Sequence, residues 1–197
     1  MRRLELNMQK IYKLGFWVLL LTAITFFNFW QISKTGKKMD FAIDRQINEK
    51  RISSLLISNN NNKRQVEISN AENVVTNEQV TNLLKDTTLV ILLTEPKCNK
   101  CQEKEIKRLN LLKKQKNFNM IGITTQKRKN ILAMQRKINK IDFPIYWIDD
   151  TTFYNNLAFD SEFPQIIYVI NGKVISAFKP IPFDDEFSEK YYEELLN

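Results

Sequence analysis

Two cysteines stand in one cluster, Cys98-Asn99-Lys100-Cys101, in a chain that contains no histidine. The missing histidine removes imidazole-based triads and general bases, together with the zinc sites that use it. Two thiolates cannot fill a four-cysteine zinc site or hold an iron–sulfur cluster within one chain. No metal and no cofactor is therefore expected, and chemistry falls to thiols, carboxylates, lysines, tyrosines and hydroxyls. Small secreted scaffolds use several bridges, and a bridge across so tight a loop gains little from cross-linking. The pair reads as a site rather than a staple, with a structural disulfide or half of an intersubunit metal site as the alternatives.

The spacing carries a chemical meaning. If Cys98 caps a helix, its sulfur lies against unpaired backbone N–H groups at the positive end of the dipole, which favours thiolate. Cys101 then lies one turn further in, placed to close a disulfide with Cys98, so that one thiol attacks and the other resolves. Lys97 and Lys100 add positive charge, and Cys98 is expected to titrate below the free-thiol value of about 8.5. Glu95, Glu103 and Glu105 are candidates for proton transfer to Cys101, against the ordinary reading of helix and loop glutamates as solvated.

Such a pair needs a strand ahead of it and a helix behind it. Thr88–Thr94 is continuously apolar, as expected for a parallel strand buried on both faces. Asn99–Lys116 reads as an amphipathic helix with Ile106, Leu109 and Leu112 inward. A C-x-x-C between these two elements in an α/β pattern is the redox arrangement. Around them the periodicity predicts a strand at Val66–Ser69, a helix at Glu78–Leu84, a strand at Phe118–Thr124, a helix at Lys129–Lys140, a strand at Ile145–Ile148 and a short helix at Phe153–Ala158. Gln165–Ile170 and Lys173–Phe178 flank Asn171-Gly172, a hairpin signal, and Asp184–Leu196 closes as a helix with acidic residues in its first turn. The class is α/β with a mixed edge. Tyr146, Trp147, Phe153, Tyr154 and Phe159 read as packing residues rather than a ligand box.

With the cysteines, the order of elements and Pro164 immediately before Gln165–Ile170, the region 65–197 resembles the thioredoxin superfamily. The intervening strand and helix between 141 and 158 resemble its TlpA-type, membrane-anchored branch. The resemblance implies a thioredoxin-like fold, a central mixed sheet flanked by helices. It also implies a cis Phe163–Pro164 peptide facing Cys98 and Cys101, and thiol–disulfide oxidoreductase activity on protein thiols and disulfides with an unidentified electron donor. Lys97 replaces the tryptophan usual before the first cysteine, and Lys104 replaces the glutamate often found three residues after the second. The alternative is a non-catalytic thioredoxin-fold module that recruits a partner.

Ahead of this region, Leu14–Ile32 is uncharged and just long enough to cross a hydrocarbon core, with Trp17 and Trp30 near its ends. No small-residue cleavage site follows, so residues 14–32 read as an uncleaved single-pass anchor behind a short tail, 1–13. Residues 33–64 read as a helical stalk and asparagine-rich linker, with the run Asn59-Asn60-Asn61-Asn62 favouring turns. Lys/Arg counts on the two sides of the span would hold the C-terminal body inside, but long domains translocate largely regardless of them. The resemblance places the body outside the cytoplasm, in the periplasm. The net charge of +8 is unevenly spread. Residues 97–140 carry fourteen basic and two acidic side chains, whereas residues 141–197 carry three and eleven. That is a dipolar body with one basic flank, a pattern that suits an acidic partner or plain solvation; no nucleic acid is expected.

Overall fold

The computed structural model describes residues 2–94, 99–115, 119–182 and 184–196. The chain divides into two compact units, Met1–Asn48 and Glu49–Asn197. The first unit consists of helix α1 (Arg2–Asn61) up to the boundary. Its apolar residues are exposed, Phe26 and Phe29 among them, and α1 is the one helix among the described residues long and apolar enough to cross a membrane.

The second unit is built on a seven-stranded sheet. Its strands are β1 (Ala71–Asn73), β2 (Gln79–Val80), β3 (Thr88–Leu93), β4 (Asn119–Thr124), β5 (Ile145–Trp147), β6 (Gln165–Ile170) and β7 (Lys173–Phe178). Their spatial order is β2-β1-β5-β4-β3-β6-β7. β4 pairs parallel with both β3 and β5, β6 runs antiparallel to β3, and β7 is antiparallel to β6. All six residues of β3 are buried, and their alternation feeds both faces of the sheet. Val90 and Leu92 join one core with Ile121, Ile123, Phe153 and Ile167, while Leu89, Ile91 and Leu93 join the other with Ile106, Leu109 and Phe143. A strand buried on both faces reads as a near-continuous apolar run, and its one polar residue is satisfied: Thr88 Oγ1 donates to Asp86 O at 3.1 Å and accepts from Asn119 Nδ2 at 2.9 Å. The helices are α2 (Asn99–Gln115), α3 (Lys129–Ile138), α4 (Asp150–Thr152) and α5 (Asp185–Leu196). Leu109 of α2 and Tyr192 of α5 close the second core. The β6–β7 turn holds Asn171 and Gly172 at φ 50° and 74°, the left-handed pair that a two-residue hairpin demands.

Two local expectations change. Glu78–Leu84 is not a helix: Asn77 and Asn82 sit at positive φ, 58° and 56°, and Gln79–Val80 pairs with Ala71 and Glu72 instead. Val66–Ser69 is not a strand of the sheet; Val66 donates its N–H to Gly172 O at 2.8 Å, and only Gln65 bridges β7. After α4, Phe153–Leu157 forms a π-helical turn, closed by the Ala158 N–H on Phe153 O at 2.9 Å.

The boundary also moves. The asparagine run is helical as far as Asn61, and the compact unit starts at Glu49 rather than Gln65. The cause is the outer edge of β7, whose backbone groups need partners. Ser54 Oγ donates to Lys179 O at 2.8 Å and Ser58 Oγ donates to Ala177 O. Lys63 N–H and Val174 N–H complete the seam on Val174 O and Arg64 O, at 2.7 and 2.9 Å.

Candidate active site

Cys101 lies in the first turn of α2, directly beyond the buried β3, and is disulfide-bonded. The sequence holds one other cysteine, Cys98. Cys98, Lys97 and Glu95 lie outside the described residues, as does the Lys100 side chain. Gln102, buried next to Cys101, aims its Nε2 at Thr94 O across 3.5 Å, joining the helix start to the strand end.

Cys101 opens onto a groove of about 1100 Å³. Its wall on the β6 side is Phe163 and Pro164, and the Phe163–Pro164 peptide is cis. The structure therefore brings Cys101 and Pro164 to one cavity. The remaining walls come from separate elements. Thr125 to Arg128 follow β4, Lys179, Pro180 and Pro182 follow β7, and Lys50 comes from the C-terminal part of α1.

The segment that carries Pro164 is fixed from beneath by a residue that sequence reasoning missed. Gln165 is fully buried. Its Nε2 donates to Asp160 O at 2.7 Å and Glu162 O at 2.9 Å, and its Oε1 accepts from Phe159 N at 2.9 Å. A buried amide with donors and acceptor all satisfied is a rigid brace. The signal was available: a lone glutamine opens an otherwise apolar strand, Gln-Ile-Ile-Tyr-Val-Ile. Above it the Phe163 ring packs on Phe153 at 5.6 Å, and half-exposed Tyr154 turns an edge to both. Phe153 is core, as expected, while Tyr154 also faces the groove.

The glutamate candidates separate. Glu105 is not among the groove's lining residues. It is buried, and its carboxylate accepts from Ser188 Oγ at 3.1 Å, Tyr192 OH at 2.8 Å and the Arg108 guanidinium. Burial pushes its pKa up, against those three donors. Glu105 thus ties α2 to α5, and Arg108 extends the tie to Asp185 at 2.5 Å. Glu103 is half-buried on the same helix. In the groove itself, Lys179 is clamped by Glu162 Oε2 at 2.8 Å and Asp160 Oδ1 at 3.0 Å. Its pKa is raised: burial works against the charge, but the two carboxylates prevail. Among the described residues no cluster of ligands suits a metal ion.

Neither a family model nor a curated protein matches the sequence. Solved structures do match. A putative protein disulfide isomerase from Bacteroides thetaiotaomicron aligns with a TM-score of 0.53 at 16% identity, over 68% of this chain and 87% of its own. A thiol-disulfide oxidoreductase from Bacteroides fragilis gives 0.52 at 16% identity, over 67% and 99%. A thioredoxin-like protein from Porphyromonas gingivalis gives 0.51 at 14% identity, over 68% and 94%. At such identities the likeness concerns architecture, and that architecture is the thioredoxin-like fold: a mixed sheet flanked by helices, in a chain that opens with a long apolar helix.

Proposed function

We propose that this chain is a membrane-tethered thiol–disulfide oxidoreductase that works through Cys98 and Cys101. The observation that carries the reading is Cys101 itself, a disulfide-bonded residue at a helix start that shares an open groove with Pro164. Two proteins that share the fold are described as a thiol-disulfide oxidoreductase and a putative protein disulfide isomerase, which fits the same chemistry.

In the reduced chain the Cys98 thiolate attacks one sulfur of a partner disulfide. A mixed disulfide forms, and the partner's other sulfur leaves as a thiolate that takes up a proton. The Cys101 thiolate then attacks Cys98 Sγ and expels the partner's second thiolate, which is likewise protonated. The partner gains two electrons and two protons, and Cys98 and Cys101 end as a disulfide. A dithiol donor returns the pair to the reduced state by the same exchange in reverse. Gln165 acts beneath this site as a positioning residue for the Phe163–Pro164 wall. Residues 14–32 supply the tether, with the body outside the cytoplasm, where disulfides persist. Partners are accordingly protein thiols and disulfides.

The test is turnover of an oxidised protein substrate by the full chain in detergent micelles, driven by a small dithiol. The chain should accelerate reduction over the dithiol alone, and Cys98→Ser or Cys101→Ser should each abolish turnover. Equal rates for the wild type and both variants would support the non-catalytic module instead.

A further inference from the structure

Two sets stand out among the cations of the Glu49–Asn197 unit. Arg51, Lys104, Arg108, Lys113, Lys129 and Lys179 each pair with a carboxylate of the same unit. Three others converge on the Cys101 groove without such a pair among the described residues: Lys50, Lys127 and Arg128, all exposed. Two of them are held in place by their loop. Gln126, buried beneath it, accepts the Arg128 N–H on its Oε1 at 3.1 Å, and Gln126 N–H donates to Thr124 Oγ1 at 3.2 Å. The third arrives on a separate element, the C-terminal part of α1, which Ser54 and Ser58 bond to Lys179 O and Ala177 O at the β7 edge. The groove's own carboxylates do not cancel this charge. Glu162 is already bound to Lys179, which leaves Asp150 as the one other carboxylate among the described lining residues, against three cations. Tyr154, Phe163 and Pro164 line the same groove and give it apolar surface.

From this convergence we propose that the groove takes an acidic segment of its partner protein, held by Lys50, Lys127 and Arg128 while its apolar side chains rest on Tyr154 and Phe163. The covalent step rests on the exchange reading above; the charge recognition stands apart from it. Rim charges of this kind steer encounter and select partners rather than supply most of the affinity. Lys50 brings the part of α1 that belongs to the Glu49–Asn197 unit into this selection.

The experiment uses the full chain in neutral detergent micelles and three labelled, cysteine-free peptides of one length, rich in glutamate, glutamine or lysine. Binding is read by fluorescence anisotropy at low and at high salt. At low salt the acidic peptide should bind about tenfold more tightly than the glutamine peptide, a difference of about 1.4 kcal/mol. High salt should erase most of that difference. The triple variant K50Q/K127Q/R128Q should lose the preference. A matched control, K137Q/K140Q/K190Q, removes equal charge from exposed positions outside the groove and should keep it. Equal binding of the three peptides, or equal loss in the control, would overturn the proposal. Parallel exchange assays on disulfide-containing versions of the peptides separate the two readings. Acid preference in binding without exchange would sink the oxidoreductase function alone. Exchange without charge preference would sink the acidic-segment groove alone.

Discussion

Arg51, near the C-terminal end of α1, grips Asp184 in two parallel hydrogen bonds, Nε to Oδ2 at 2.6 Å and Nη2 to Oδ1 at 2.7 Å. Asp184 in turn accepts the Phe187 N–H at 3.3 Å, and the guanidinium stands 5.8 Å from the Phe187 ring centre. The start of α5 is thus pinned to a residue far away in the sequence. The Asp184 side chain is only 4% exposed, so its charge depends on that partner. Arg51→Met keeps the aliphatic packing and strands the carboxylate, which should cost about 2 kcal/mol. The Arg51 guanidinium holds the Asp184 carboxyl below its usual range, with burial opposing it. The stabilisation is therefore present above the unfolded value of about 3.9 and is lost as pH falls through the lower folded value. Urea unfolding at neutral pH and below pH 4 should show the Met penalty shrinking with acid.

Glu105 should show the opposite sign. Burial raises its folded pKa, so between about 4.3 and that raised value the folded state holds more protons than the unfolded state. Stability then falls as pH rises through this window. Glu105→Gln removes the titration while leaving groups for Ser188 and Tyr192 to bond. The stability difference between variant and wild type should shift in the variant's favour from pH 4 to pH 7, measured by chemical denaturation. A difference that stays flat across the window would show that burial of this carboxyl does not set its protonation.

Gln165→Met keeps the unbranched length of the side chain but strands Phe159 N, Asp160 O and Glu162 O together. A loss of about 3 kcal/mol is expected from these unsatisfied groups. Because the brace also fixes the Pro164 wall, disulfide exchange should slow more than the stability loss explains. Exchange rates taken well below the unfolding transition separate the two effects.

The β7 edge predicts where the domain can be cut. A fragment beginning at Gln65 loses Ser54, Ser58, Lys63 and Arg64, leaving Ala177 O, Lys179 O and both polar groups of Val174 without these partners. An uncovered edge strand invites pairing with a second chain. The Gln65 fragment should unfold at lower denaturant and elute partly as oligomers, whereas a fragment beginning at Glu49 should elute as a monomer.

That cut also marks the limit of what the amino-acid order reveals. The buried strand, the helix behind it and the Asn171-Gly172 hairpin are local signals, and each lands in the structure within a residue or two of its expected bounds. Glu78–Leu84 carries a helix-like apolar spacing, but Asn77 and Asn82 take left-handed backbone and sheet pairing decides the segment. Asn59 to Asn61 favour turns in isolation, yet the helix persists because Ser54 and Ser58, one turn apart, are bonded to the β7 edge. Arg51–Asp184, Gln165 under the 159–162 loop and Lys50 at the groove all depend on contacts distant in sequence or on burial, which no periodicity encodes. Glu105 is legible in the sequence as one of three glutamates near the cysteines, but not as the link between α2 and α5.

The exchange claim meets its most direct test in a trapped intermediate. The full chain carrying Cys101→Ser is reduced, mixed with a small disulfide-bonded protein, quenched with acid and digested for peptide mass mapping. A covalent adduct joining Cys98 to a partner cysteine should accumulate. It should be resolved in the wild type, where Cys101 displaces the partner, and absent from Cys98→Ser. No adduct in Cys101→Ser, or an adduct forming equally fast at Cys101 in Cys98→Ser, would contradict the assignment of Cys98 as attacking and Cys101 as resolving thiol.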